Sequence, residues 1–90
     1  MQKHFNITIQ GKVQGVWYRA SAQLAARQLG LVGFVKNLPD GSVYAAAEGT
    51  ENALLDFVAW CHRGPELAKV ADVQVTEGPV QGFADFGIQR

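Results

Sequence analysis

The sequence predicts an α+β two-layer sandwich, and three observations carry that prediction. Strand-like and helix-like runs alternate as β-α-β-β-α-β, followed by a short strand-like run at the end. The two helical runs are of similar length, so they can lie side by side on one face of a sheet. A Pro-Asp-Gly turn joins the two middle strands into a hairpin, which leaves each helix as a crossover between strands.

In the first run Phe5, Ile7 and Ile9 alternate with Asn6, Thr8 and Gln10, the period of a half-buried strand. The stretch Gly11-Lys12-Val13-Gln14-Gly15-Val16-Trp17-Tyr18-Arg19 then leads into a helix. A glycine-bearing turn at that point can aim several backbone N–H groups at one place, and a helix N-terminus adds positive potential. Arg19 falls in the first helical turn, where the helix dipole disfavours a cation unless an anion sits nearby. The stretch reads as a cradle for phosphate or carboxylate.

Over residues 20–29 the period changes to that of a helix. Ala22, Ala25, Ala26 and Leu29 make one apolar stripe opposite Gln23 and Arg27, with Leu24 misplaced on the polar side. Gly30 suits the end of this helix. A strand over residues 31–37, the turn Leu38-Pro39-Asp40-Gly41, and a strand over residues 42–48 form a hairpin closed by Gly49. Thr50 caps a second helix over residues 51–63, with Leu54, Phe57, Val58 and Cys61 on its inner stripe and Gly64-Pro65 as its stop. Ala71, Val73 and Val75 alternate in a fourth strand, Gly78-Pro79 breaks it, and Phe86 with Ile88 marks a short final strand. Right-handed crossovers around the central hairpin give a ferredoxin-like sandwich: an antiparallel sheet, two helices on one face and a short extra C-terminal strand. That arrangement is expected to bring the 11–19 stretch and the residues around Asn37 together at one edge of the sheet.

Composition narrows the function classes. Ninety residues predict one domain, spanning 1–90, with 48% hydrophobic and 18% charged residues, as in an ordinary globular protein. No apolar run reaches the length of a membrane span, and the first residues lack the apolar core of a secretory signal. The lone Cys61 fits a reducing cytoplasm and excludes an internal disulfide or a Cys-x-x-Cys site. His4 and His62 are both expected in solvent. Net charge is zero, yet Lys3, Lys12, Arg19, Arg27 and Lys36 precede residue 37 with no acid among them. A locally positive segment on a neutral chain favours a small anion over a nucleic acid.

Two stretches together resemble the acylphosphatases. One is the Gly11–Arg19 stretch; the other is Gly33-Phe34-Val35-Lys36-Asn37-Leu38-Pro39-Asp40-Gly41-Ser42-Val43, with Gly49 beyond it. Gly64-Pro65 and the Phe86/Ile88 strand also resemble the family, so the likeness covers nearly the whole chain. It implies the same ferredoxin-like fold and a hydrolase of small-molecule acyl phosphates. By the family's pattern the backbone amides of Gln14, Gly15, Val16, Trp17, Tyr18 and Arg19 cradle the phosphate. Arg19 grips its oxygens with a bidentate fork, and Asn37 orients the attacking water. Many relatives carry Phe or a smaller residue where this chain has Trp17, which leaves the cradle backbone intact but bears on access and substrate preference.

The residues present suit that chemistry. Phosphoryl transfer asks mainly for positioning and charge stabilisation, which Arg19 and backbone amides supply. Neither motif contains a carboxylate or histidine beside Arg19 to protonate a leaving group. A carboxylate, whose acid has a pKa of roughly 4, departs unprotonated, whereas the alkoxide of an ordinary phosphate monoester does not. No carboxylate cluster suits Mg²⁺, so the expectation is a cofactor-free, metal-free cytoplasmic monomer with no nucleic-acid or membrane partner. The competing class is a non-catalytic ferredoxin-like module for a small anion or for RNA, since fold alone decides no function. Gly33-Phe34-Val35 faintly resembles an RNA-binding aromatic motif, but on the wrong strand. A third reading, an acylphosphatase-like domain of a larger carbamoyl-transferring maturation factor, is set aside because no zinc-finger cysteines follow; a stand-alone enzyme is expected.

Overall fold

The computed structural model describes residues 1–89; Arg90, the last residue of the expected domain, lies outside the described residues. In chain order the elements are β1 (Lys3–Lys12), α1 (Tyr18–Gln28), β2 (Val32–Asn37), β3 (Val43–Gly49), α2 (Glu51–Arg63), β4 (Lys69–Gly78) and β5 (Phe86–Ile88). The strands lie in the order β4-β1-β3-β2-β5. Two helices, a five-stranded sheet and this order are those of the ferredoxin-like sandwich.

Local chemistry explains the element boundaries. Thr50 opens α2, its hydroxyl accepting from the Ala53 N–H at 3.2 Å. α1 closes on Gly30, whose φ of 75° lets Leu31 N–H reach back to the Ala26 carbonyl at 2.9 Å. α1 begins earlier than its apolar stripe suggests, because Tyr18 is buried and joins Ala22 and Ala26 on the inner face. Leu24, the misfit in the stripe, is 62% exposed. The core between the layers joins Ile7, Ile9, Val35 and Ala45 from the sheet to Leu54 and Phe57 from α2.

Three expectations about the elements and their burial need correction, and so does a fourth, on where the motifs meet. The sheet is mixed rather than wholly antiparallel: β5 runs parallel to β2, pairing Gly33 with Phe86 and Val35 with Ile88. After β4 the 79–85 segment crosses the sheet to its opposite border and enters beside the start of β2, so β5 must run in the direction of β2. Second, the alternation in β4 does not bury its apolar side. Ala71 and Val75 are exposed while Val70 and Val73 pack against the core margin. β4 is a border strand, and its pairing with β1 shifts register between Gln10 and Gly11. Third, His4 is buried rather than solvated, at 1% exposure. Its Nδ1 lies 2.7 Å from the Glu48 carboxylate, which also accepts the N–H groups of Gln81 and Gly82 at 2.6 and 2.9 Å. Phe83 stacks on the His4 ring. The 79–85 segment therefore covers a face of the sheet that the alternation of β1 marks as polar.

This topology places the site. β1 and β2 both run antiparallel to β3, which lies between them, so their C-terminal ends meet at the same end of the sheet. β5, parallel to β2, ends there too. The two motifs thus meet at an end of the strands, not along an edge.

Candidate active site

The connection from β1 to α1 folds back sharply. Gly15 and Trp17 have φ of 73° and 67°, on either side of the buried Val16. Left-handed residues in such a turn point successive amides towards a common concavity. No acceptor among the described residues takes up the N–H groups of Gly15, Val16, Trp17, Tyr18 or Arg19; the first bond of α1 runs from Ser21 N–H to the Trp17 carbonyl at 3.0 Å. These are the orphan donors of a helix start, and no acid of α1 occupies its first turn to satisfy them.

A pocket of about 360 Å³ opens at this point, lined among others by Val13, Gly15, Trp17, Arg19, Asn37 and Ile88. Arg19 and Asn37, eighteen residues apart in the sequence, therefore face one space. Among the described residues the Arg19 guanidinium donates one bond, from Nη1 to the Gln89 carbonyl at 3.0 Å. That contact aims the fork, and no other described residue takes up its remaining donors. The Asn37 side chain makes no hydrogen bond with the described residues, and its Oδ1 is buried without a partner. An orphaned buried amide oxygen costs about 1–3 kcal/mol, so its retention at a pocket wall points to use.

Gln14 and Tyr18 are placed differently from the other cradle residues. The Gln14 carboxamide turns away from the pocket and donates to the carbonyls of Leu38 and Ser42, each at 2.8 Å. It ties the cradle to the loop that follows Asn37, a role that nothing in local spacing reveals. The Tyr18 ring is buried, and its hydroxyl donates to the Cys61 carbonyl at 2.8 Å, fixing the start of α1 to α2. Gln89 and Ile88 also belong to the site, and only the return of β5 beside β2 brings them there.

The titratable groups nearby are poor proton carriers. Burial pushes the Tyr18 hydroxyl far above the usual tyrosine range and the Cys61 thiol up to about 12. Asp40 is held below the ordinary carboxylate value by the Ser42 hydroxyl and then the Ser42 N–H, and it stays within its own turn. Among the described residues no group of three His, Cys, Asp or Glu side chains is arranged to hold a metal ion. Among the described residues no helix is long and apolar enough to cross a membrane.

A ferredoxin-like sheet with unsatisfied amides and an arginine at the end of its first strand defines a class: small α+β proteins with an oxyanion-binding strand-to-helix loop. Comparison with known proteins carries this further. The acylphosphatase family model matches residues 5–88, and the chain belongs to that family. It is 48% identical to an acylphosphatase of Methylococcus capsulatus over 89 residues, covering 98% of this chain and 97% of that one. Among solved structures it is similar to the acylphosphatase from Bacillus subtilis, with a TM-score of 0.96, 41% identity and full coverage of both chains. It is also similar, at 28% identity and a TM-score of 0.90, to 12% of a full-length HypF in its phosphate- and nucleotide-bound form.

Proposed function

We propose that this chain hydrolyses acyl phosphates to carboxylate and inorganic phosphate, with the backbone of residues 14–19 and the Arg19 guanidinium as the phosphate cradle and Asn37 as the holder of the attacking water. The observation that carries the site assignment is the meeting of Arg19, a run of free amides and the unpartnered Asn37 carboxamide in one pocket. The free amides and the guanidinium neutralise the phosphoryl oxygens, where charge develops as the transferring group flattens. Water oxygen bonds to phosphorus while the bond from phosphorus to the acyl oxygen breaks, and that electron pair leaves on the carboxylate. Asn37 orients the water but cannot take its proton, which passes to a phosphoryl oxygen of the substrate.

The lack of a proton donor beside Arg19 among the described residues supports this substrate class. A carboxylate needs no proton to leave, since its conjugate acid has a pKa of roughly 4. The fuller reading has the chain acting as one domain, monomeric and cytoplasmic, on a free small molecule and without nucleic acid. Its support is the zero net charge and the single buried Cys61.

The test compares benzoyl phosphate with a phosphate monoester for the wild type, Arg19→Gln and Asn37→Ala. Wild-type turnover is expected for benzoyl phosphate only. Each variant should lose on the order of 10²–10³ in kcat while keeping its melting temperature, the scale of removing one preorganised donor. A fully active Arg19→Gln protein refutes the assignment of the cradle. A pH–rate profile that traces a general-base step to a side chain refutes the proton route.

A further inference from the structure

The pocket has a second character that the phosphate chemistry leaves unused. Among its described lining residues Arg19 is the only charged one, and once Arg19 and the amides hold a phosphate the remaining exposed wall is apolar. Beside the small exposed Ala20 it is made by Trp17, from the cradle, and Ile88, the last residue of β5, which are 78% and 39% exposed. Trp17 also holds φ 67° and ψ 20°, a left-handed backbone that a bulky aromatic residue disfavours. Neither feature serves the folded state. An indole this exposed buries little surface, and glycine would take the same backbone without strain. A strained aromatic residue beside a pocket is the kind of outlier that calls for a functional account. Ile88 precedes Gln89, whose carbonyl holds Arg19, so the apolar wall and the guanidinium share one fixed frame.

We propose that Trp17 and Ile88 form the subsite for the acyl group and make this chain selective for neutral, flat or branched apolar acyl phosphates. The inference rests on the acylphosphatase reading above. With its phosphate in the cradle, the substrate sends its acyl group towards the open side of the pocket. There the indole offers a face for an aromatic or branched carbon skeleton, and Ile88 extends the contact. An acyl group that carries a second carboxylate finds no further cation among the described lining residues and loses hydration against an apolar wall.

The test measures kcat/KM for benzoyl, acetyl and succinyl phosphate with the wild type, Trp17→Gly and Ile88→Thr. The wild type is expected to rank benzoyl above acetyl and acetyl above succinyl. The ratio of benzoyl to acetyl should fall about threefold to tenfold in Trp17→Gly, the range of one aromatic contact, and in the same direction in Ile88→Thr. Comparing ratios between proteins cancels the difference in leaving ability between the two carboxylates. Melting temperatures guard against misfolding: glycine suits the backbone at residue 17, and threonine keeps the β-branch that a strand favours. A ratio within twofold of wild type in both variants overturns the subsite, as does a wild type that prefers succinyl to benzoyl phosphate. A wild type that hydrolyses none of the three fails at the earlier step and overturns the enzyme reading itself.

Discussion

Gly33 and Trp17 show opposite uses of left-handed or unusual backbone. Gly33 lies inside β2 with φ 142°, and a Cβ built there would overlap the Ala46 carbonyl of the neighbouring strand. Its N–H donates to the Asp85 carbonyl at 2.8 Å, which docks the segment leading into β5. The residue is glycine because both space and φ demand it. Gly33→Ala is therefore expected to destabilise the protein by about 2 kcal/mol or more, since overlap with backbone adds to strain. Chemical denaturation should show the midpoint falling with an unchanged slope; a midpoint within error of wild type would contradict the packing of β2 against β3. Trp17 has no such excuse, because its conformation would suit glycine and its ring lies in solvent. At this scale the sequence singled out Arg19 and Asn37 within their motifs, and both line one pocket. The sequence was silent on His4, whose neighbours in β1 alternate as if it faced water. Only the covering segment with Gln81, Gly82 and Phe83 buries it.

The elements that read clearly are those stabilised by local signals. The Thr50 cap and the Gly64 stop bound α2 as the sequence predicts, and the Gly30 cap ends α1. The elements that misread depend on distant partners: β4 looks like an inward-alternating strand but borders the sheet, and β5 takes its direction from the path of 79–85. The same distinction applies within the site. Two loops line the candidate site, and the Gln14 side chain joins them by donating to Leu38 and Ser42 carbonyls. Asn37 immediately precedes that acceptor loop, so the bridge sets the distance between the proposed water and phosphate sites. Gln14→Ala is expected to lower kcat for acyl phosphate hydrolysis about tenfold or more, with a smaller change in inhibition by inorganic phosphate, because misplacement acts on attack geometry. Gln14→Glu, which keeps the length but replaces both donors with acceptors, should be at least as damaging. Equal losses of kcat and of phosphate affinity in Gln14→Ala would assign this side chain to the cradle rather than to the bridge.

Across the whole molecule, the active end of the sheet and its opposite end are built on different chemistry. The end with the candidate site leaves donors and an amide without partners among the described residues; the far end satisfies a buried carboxylate. Glu48 is 1% exposed and accepts from His4, Gln81 N–H and Gly82 N–H, joining β1, β3 and the 79–85 crossover. Burial by itself would raise its pKa, but the hydrogen bonds from Gln81, His4 and Gly82 together outweigh it and hold the group below its ordinary 4.5. A carboxyl depressed on folding contributes stability that is fully present above the unfolded value and is lost as pH falls through the folded value. The window thus lies below about pH 4.5. Glu48→Gln puts an amide among donors that want an acceptor, so it should destabilise the protein at pH 7 by about 1–3 kcal/mol. The gap in melting temperature between wild type and Glu48→Gln should then narrow as pH falls from 5 to 3, because protonation removes in the wild type what the substitution has already removed. Asp40, also depressed, titrates in both proteins and drops out of the difference. Melting curves that stay parallel through this range would show that Glu48 does not link the crossover to the sheet as a carboxylate.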